Sequence, residues 1–146
     1  MNTDTQTLVP TLQTIREAHE RIGPFIHRTP VLTSGSLDGM AGARVFFKCE
    51  NLQKIGAFKI RGGMNAVLSL PAEERRHGVA THSSGNHAQA IAYAAREVGA
   101  PAYIVMPRNA PEIKKKAVAG YGAEIILCEP TLQAREDALR EVVART

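Results

Sequence analysis

The chain has 146 residues, of which 44% are hydrophobic and 22% are charged, and its formal net charge is +4. This size and apolar fraction are typical of one globular domain that can bury a core. Because charges of both signs are spread along the chain and no apolar run approaches the ~20 residues that span a bilayer, we expect neither a nucleic-acid nor a membrane partner.

A polar N-terminus is followed by a helical pattern. Residues 1–9 have neither the basic nor the apolar region of a secretory signal, so we expect a cytoplasmic protein. From Thr11 to Ile22 apolar residues recur at helical spacing, and Gly23 and Pro24 end the pattern. The sequence therefore predicts a first helix over this segment.

Two short strands and a small helix are predicted next. Val31–Leu32 and Arg44–Lys48 are rich in residues typical of strands, and a small helix over 36–40 is predicted between them. The two cysteines, Cys49 and Cys128, are far apart and lack metal-ligand spacing. We therefore expect no disulfide framework and no metal site, and we interpret both residues as buried thiols.

A longer helix is predicted from Phe58 to Leu70, where Pro71 ends it. Gly62 and Gly63 inside this helix weaken it by roughly 1 kcal/mol each relative to alanine. The charged stretch from Pro71 to His77 is the candidate linker between the two halves of the chain.

From Gly78 onward, apolar runs alternate with amphipathic segments. The runs predict strands over 78–82, 102–106 and 124–128. The segments predict helices over 86–98, 111–121 and 131–145. Strands that alternate with helices form right-handed crossovers and a parallel sheet covered on both faces. We therefore predict an α/β fold, in which the start of a larger α/β domain over 1–75 precedes a small three-layer domain of open βαβ units over 76–146.

The first candidate functional residue is a lysine at the start of the longer helix. A loop rich in small residues, Gln53–Ala57, leads to Phe58 and Lys59. The helix dipole disfavours an ammonium group at this end, and burial would disfavour it further, so both favour the neutral amine of a Schiff-base nucleophile. The ring of Phe58 could lie against a flat heteroaromatic group. From these residues alone, an exposed helix lysine without a function is the simpler interpretation.

The second candidate is the segment from Thr81 to Gln89, where a predicted strand gives way to a helix. Free amides at a helix start, with hydroxyl and amide side chains, can bind a carboxylate or phosphate, and Gly85 would let the backbone approach that ligand. Ligands of open α/β sheets bind at this edge of the sheet. The alternative is that Ser84 or Asn86 only caps the helix.

Two further features are interpreted as structural. His82 and His87 could form an acid–base pair or bind a metal, but no third ligand stands in register with them, so we favour structural histidines. The basic triplet Lys114–Lys116 is interpreted as a solvated helix face. The sequence contains no P-loop and no dinucleotide fingerprint.

Two segments carry a resemblance to a known family. Phe47–Gly62 (FKCENLQKIGAFKIRG) and Ser83–His87 (SSGNH) resemble the two signatures of the serine/threonine dehydratase and serine racemase family, which are fold-type II pyridoxal-phosphate enzymes. The resemblance extends from about Ile22 to Glu129. Cysteine and threonine synthases of the same fold typically have other residues after the lysine and in the second signature.

The resemblance implies a role for each motif residue. Lys59 would carry the Schiff base with pyridoxal 5'-phosphate, Phe58 would pack beside the cofactor, and Asn86 would hydrogen-bond the pyridoxal 3-oxygen. The substrate carboxylate would be held by the whole turn, namely Ser83, Ser84, Gly85, Asn86 and His87. In the racemases of the family, a serine at the position of Ser84 exchanges a proton on the cofactor face opposite the lysine.

The implied reaction is β-elimination from a small hydroxy amino acid to a 2-oxo acid and ammonia, with Lys59 removing the Cα proton. Reprotonation by Ser84 on the opposite face would give racemisation instead. Serine, threonine and 3-hydroxyaspartate all remain open as substrates, and we expect the complete enzyme to be a homodimer.

Family members are roughly twice as long as this chain. We therefore expect it to be the N-terminal part of such an enzyme, without the glycine-rich loop that holds the cofactor phosphate. The alternative function is that of an isolated, inactive fragment which at most binds an anion weakly.

Overall fold

The computed structural model describes residues 9–146. Most of the polar N-terminus, on which the expected absence of a secretory signal rests, lies outside the described residues. The helices are α1 (Leu12–Ile22), α2 (Gly35–Ala41), α3 (Lys59–Ser69), α4 (Ala72–Arg75), α5 (Asn86–Glu97), α6 (Glu112–Gly120) and α7 (Leu132–Arg145). The strands are β1 (Val31–Leu32), β2 (Phe47–Lys48), β3 (Val79–His82), β4 (Ala102–Pro107) and β5 (Glu124–Cys128).

The predicted first helix is confirmed as α1. Thr11 caps it, since the Thr11 side chain accepts a hydrogen bond from the Thr14 amide and the Thr14 side chain accepts one from the Thr11 amide. After α1 the chain makes a short 3-10 turn over Gly23–Phe25. At Gly23 and Pro24, where the sequence predicts that the helix ends, the α-helix therefore gives way to a tighter 3-10 turn.

The strand predicted over Arg44–Lys48 is shorter in the structure. Only Phe47 and Lys48 form β2, which pairs antiparallel with β1. The amide of Val45 donates instead to the Asp38 carboxylate of α2, at 2.8 Å, so it is not available to a strand partner. Cys49, directly after β2, is half-buried rather than buried, whereas Cys128 is buried as predicted.

The linker predicted over Pro71–His77 is wrong in its detail, because it contains the helical turn α4. Pro71 stands just before α4, where a missing amide hydrogen costs no helical bond. Glu73 and Arg76 form an exposed ion pair at 2.6 Å on this turn. The connection between α3 and β3 is therefore short and locally ordered.

The second half of the chain confirms the predicted three-layer α/β arrangement. Strands β3, β4 and β5 form a parallel sheet in that order, with His82 opposite Val105 and Pro107 opposite Cys128. Alternate residues of β4 point to opposite faces. Ile104 and Met106 join the core beneath α5 and α6, while Val105 packs with residues of α7 on the other face.

Helix α3 packs against α5, so one core crosses the predicted boundary between residues 1–75 and 76–146. Three buried residues of α3, Ile60, Met64 and Val67, belong to the same cluster as Ile91 of α5. The two-domain division itself stays a prediction. Among residues 9–146, we find no helix that is both long and apolar enough to cross a membrane.

The two glycines of α3, Gly62 and Gly63, have different structural roles. A Cβ built on Gly63 would lie 2.9 Å from the Ala90 Cβ and 3.1 Å from the Ala90 backbone, whereas one on Gly62 would contact nothing within 4 Å. The interpretation of both glycines as a weakness of the helix therefore holds only for Gly62. Gly63 permits the close approach of α3 to α5.

Candidate functional site

The loop before Lys59 is held by a buried glutamine. The Gln53 side chain accepts from the His27 amide at 2.7 Å and donates to the His27 carbonyl at 2.8 Å, as a paired strand would. Gln53 is 3% exposed, so these bonds are shielded from water. The chain then turns through Ile55 and Gly56, with φ angles of 60° and 68°, and α3 begins at Lys59.

Lys59 stands in the first turn of α3 with its side chain exposed. The expectation that Lys59 is buried is therefore wrong for the described residues. Phe58, the residue before it, is 58% exposed, and the Lys59 Nζ lies 5.2 Å from the centre of its ring. No side chain caps this helix start, where the Ile60 and Arg61 amides donate to the Ala57 and Phe58 carbonyls.

The Ser83–His87 turn is an extension of the parallel sheet. The Ser83 amide donates to the Val105 carbonyl at 3.0 Å, one residue beyond the end of β3. The Ser83 Oγ then accepts from the Gly85 amide at 3.3 Å, which closes the turn. Gly85 occupies the N-cap position of α5 and no side chain caps the helix. The alternative that Ser84 or Asn86 caps α5 is therefore wrong, and the amides at this helix start remain free.

The two helix starts lie at the same end of the α3–α5 pair. The contact of Gly63 with Ala90 stands one turn beyond Lys59 in α3 and one turn beyond Asn86 in α5. The positive charge of Lys59 also reaches His87, whose pKa it lowers. The positive ends of two helix dipoles and the Lys59 amine thus converge on one place, which is suited to an anionic ligand.

His87 is half-buried beside this place. Burial lowers the pKa of His87 from its ordinary value, and the positive charges of Lys59 and His82 lower it further. The imidazole of His87 is therefore neutral at neutral pH and can both donate and accept a hydrogen bond. Among residues 9–146 there is no group of three or more ligands that could hold a metal ion, which leaves His82 and His87 without a third partner.

Lys114 is a site residue that the sequence did not reveal. Its Nζ donates to the Asn86 Oδ1 at 2.8 Å, across the gap between the first turns of α6 and α5. The basic triplet is therefore not one solvated face, since Lys115 pairs with Glu112 at 2.5 Å and only Lys116 is exposed. Both helices follow neighbouring parallel strands, so their starts share one edge of the sheet, which is the signal that could have suggested the contact.

Known proteins match this chain over most of its length. The profile of the family described as "Pyridoxal-phosphate dependent enzyme" matches residues 22–146. The serine racemase of Arabidopsis thaliana is 56% identical over 132 residues, which cover 90% of this chain and 40% of that protein. The beta-hydroxyaspartate dehydratase of Paracoccus denitrificans (strain Pd 1222) is 51% identical over 138 residues, covering 94% of this chain and 44% of that protein.

Solved structures show the same similarity. Maize serine racemase superposes with a TM-score of 0.90 at 51% identity, over 92% of this chain and 41% of that one. The T.th. threonine deaminase superposes with a TM-score of 0.84 at 44% identity, over 94% of this chain and 43% of that one. The chain thus has the fold of fold-type II pyridoxal-phosphate enzymes and spans about two fifths of the length of the relatives it matches.

Proposed function

The chain belongs to the family of pyridoxal-phosphate dependent enzymes, and from that premise we propose that the protein containing it is an ammonia-lyase or racemase of small hydroxy amino acids. The observation that supports this most is the convergence of Lys59 with the uncapped Ser83–His87 turn. An aldehyde cofactor requires an amine with which to react, and the carboxylate of an amino-acid substrate requires an anion-binding group such as a helix start.

The residues at the two helix starts fit a pyridoxal ring. The Lys59 amine is exposed where it can react with an aldehyde. The Asn86 Oδ1 is occupied by Lys114, so the amide nitrogen is free to donate to a ring oxygen. Space is open at Gly85, where an added Cβ would contact nothing within 4 Å. We assign none of the described residues to the cofactor phosphate.

When bound, the cofactor would supply an electron sink for the carbon from which a proton is removed. Lys59 would be the residue that holds the cofactor, and its amine, when not bound to the cofactor, would accept the Cα proton of the substrate. Phe58 would pack beside the ring, and its exposed face leaves room for that contact.

The substrate carboxylate would be held by the turn that consists of Ser83, Ser84, Gly85, Asn86 and His87. Free amides and the positive end of α5 favour a negative charge there. Burial lowers the pKa of His87, so its imidazole is neutral at neutral pH. It would bind the carboxylate through a neutral hydrogen bond rather than through a charged ion pair.

Ser84 decides between elimination and racemisation in this proposal. No hydrogen bond within the described residues occupies the Ser84 hydroxyl. A free hydroxyl could return a proton to the face of Cα opposite Lys59, which would give the mirror-image amino acid. Both serine racemases and a beta-hydroxyaspartate dehydratase are among the similar proteins, so we propose both outcomes, with serine, threonine and 3-hydroxyaspartate as candidate substrates.

We also propose that the complete protein is a cytoplasmic homodimer. For the 146-residue chain by itself, the alternative is an inactive fragment that binds an anion weakly at the turn. The observation that favours this alternative is that its sequence contains no glycine-rich loop of the kind that holds a cofactor phosphate.

The central experiment is chemical labelling of the full-length protein. It is incubated with pyridoxal phosphate and reduced with borohydride, and the modified lysine is identified by peptide mapping. We expect the label on Lys59 and its loss in Lys59→Ala, while Lys116→Ala, which replaces an exposed lysine of α6, retains it. A wild-type protein labelled elsewhere would refute the assignment.

A second assay addresses the alternative. The 146-residue chain and the full-length protein are each supplied with pyridoxal phosphate and L-serine or L-threonine, and 2-oxo acid is measured. Activity of the short chain would exclude the inactive-fragment function.

A further inference from the structure

Glu50 holds together three segments of the chain around one carboxylate. Its Oε2 accepts from the Arg61 Nε at 2.8 Å, and its Oε1 accepts from the Arg61 Nη2 at 2.8 Å and from the Thr29 Oγ1 at 2.6 Å. Two parallel bonds from a guanidinium fix the angle between the groups as well as their distance. The carboxylate therefore restrains both the position and the direction of Arg61.

The Thr29 side of this cluster is anchored in the surrounding structure. Thr29 is 5% exposed, and its carbonyl accepts from the Lys48 Nζ at 2.6 Å. The Cys49 amide donates to the Pro30 carbonyl at 3.0 Å, which continues the pairing of β1 with β2. The segment that ends at Glu50 is therefore held in place by the backbone pairing of β1 with β2.

The Arg61 side of the cluster is the first turn of α3. Arg61 stands in the same turn as Lys59, and its amide donates to the Phe58 carbonyl at 3.0 Å. No side chain caps this helix start, so no capping bond supplements that backbone hydrogen bond. The Glu50–Arg61 pair supplies a restraint from outside the helix.

The packing of α3 on α5 and the Glu50–Arg61 pair both act near the turn that carries Lys59. The contact of Gly63 with Ala90 sets the distance between α3 and α5, and the buried residues Ile60, Met64 and Val67 set which face of α3 the core covers. The bidentate Glu50–Arg61 pair adds a restraint in the first turn of α3 itself, because the guanidinium must stay coplanar with the carboxylate. The two restraints together determine where the Lys59 side chain leaves the helix.

We propose that Glu50 is a positioning residue that, through Arg61, directs the Lys59 amine toward the Ser83–His87 turn. The proposal rests on the function assigned above to Lys59. A misplacement of about 1 Å in a reacting group can lower a rate by roughly two orders of magnitude, so a restraint on one helical turn has a measurable effect on chemistry.

The pair persists at every pH at which an amine can act as a nucleophile. The hydrogen bonds from Arg61 are the largest cause that lowers the pKa of Glu50, to about 2, with Thr29 and Lys48 contributing in the same direction against burial. The Glu50 carboxylate is therefore ionised throughout the neutral range, and the restraint does not itself depend on pH there.

The first test uses His87 as a reporter of the Lys59 charge in full-length protein without cofactor. The pKa of His87 is measured by NMR titration in wild type, in Lys59→Met and in Glu50→Gln. Because Lys59 lowers the pKa of His87, Lys59→Met should raise it. If Glu50 positions Lys59, Glu50→Gln should raise it as well. The direct effect of removing a negative charge is the opposite, a lower pKa of His87, so the sign separates the two.

The second test follows the rate at which pyridoxal phosphate and borohydride label Lys59. We expect labelling to be about tenfold slower in Glu50→Gln. Arg61→Lys, which keeps the charge but not the two parallel bonds, should change both readouts in the same direction by less. Glu73→Gln is the matched control, because Glu73 also pairs with an arginine but lies on α4, beyond the far end of α3.

The outcomes are decisive in either direction. Wild-type values of both readouts in a folded Glu50→Gln protein, equal to those of Glu73→Gln, would overturn the proposal. If Glu50→Gln does not fold, Arg61→Lys decides by the same criteria. Wild-type protein without a label on Lys59 would instead refute the proposed function, while the His87 titration would still report whether Glu50 positions Lys59.

Discussion

The two regions that form the candidate site are held in position by different kinds of hydrogen bond. The Ser83–His87 turn continues a parallel strand, and its position follows from the backbone bond between Ser83 and Val105. The loop before Lys59 follows only the two-residue strand β2, and side-chain bonds of Gln53 and Glu50 to distant segments hold it. Side-chain substitutions in the turn should therefore change chemistry, whereas those around the loop should change the placement of Lys59.

The largest effect is expected from Ser84→Ala in the turn. Loss of the hydroxyl should reduce formation of the D-isomer from L-serine about 100-fold, while 2-oxo acid production changes by less than about tenfold, since Lys59 and the backbone amides remain. Chiral chromatography and a 2-oxo acid assay on full-length protein measure the two rates. Ser69→Ala, outside the site, is the control, and unchanged D-isomer formation in Ser84→Ala would contradict the role of Ser84.

A second prediction concerns the contact that joins the two regions. Gly63→Ala would place its Cβ 2.9 Å from the Ala90 Cβ, so the free energy of unfolding should fall by about 1–3 kcal/mol. Gly62→Ala has open space and should raise it by up to about 1 kcal/mol through helix propensity. Urea denaturation of both variants measures the difference. Equal effects of the two substitutions would show that close packing of α3 on α5 is not required.

A third, smaller effect tests whether the turn also depends on a side chain from outside. Lys114→Met removes the donor that fixes the Asn86 amide, and the dissociation constant for pyridoxal phosphate should rise about three- to tenfold. Lys116→Met, on the same helix and exposed, should leave it unchanged. Fluorescence titration of the full-length protein provides the measurement. An equal loss of affinity in both variants would indicate a general effect of charge rather than the Asn86 contact.

The smallest effect is the pH dependence of stability that His87 contributes. Burial, Lys59 and His82 lower the pKa of His87 in the folded protein below its ordinary value of 6.5. His87 therefore binds a proton more tightly in the unfolded chain than in the folded protein. This stability is present above pH ~6.5 and is lost as the pH falls through the lower folded value. Urea denaturation at several pH values should therefore show a weaker decline toward acid pH in His87→Gln than in wild type. Identical pH profiles would contradict this contribution.

Much of the fold follows from local patterns. The alternation of apolar runs and amphipathic segments predicts β3 to β5 and α5 to α7, with boundaries that differ from the observed ones by only a residue or two. The first half is less regular, and there the strand predicted over Arg44–Lys48 is shortened to Phe47–Lys48, because Asp38, from another element, binds the Val45 amide. Periodicity reports which face of an element is buried, but it does not report a competing partner.

The candidate site divides in the same way. The motifs at Lys59 and Ser83–His87 are visible in the sequence because each combines a helix start with residue types of recognisable chemistry. The contributions of Gly63, Lys114 and the Glu50–Arg61 pair are not visible, because each depends on a distance between segments that are far apart in the chain. The sequence left the burial of Lys59 open between a buried amine and an exposed helix lysine, since burial depends on what packs around a residue and not on its neighbours in sequence.

The sequence by itself therefore determined the α/β class, the order of the strand and helix units and the identity of the two motifs, because helix and strand periods and helix starts are local properties of a chain. Only the tertiary structure decided that the two motifs meet. That meeting requires α3 to lie against α5 at the distance that Gly63 permits and with Ile60, Met64 and Val67 facing the core. Both are relations between segments that no single segment encodes.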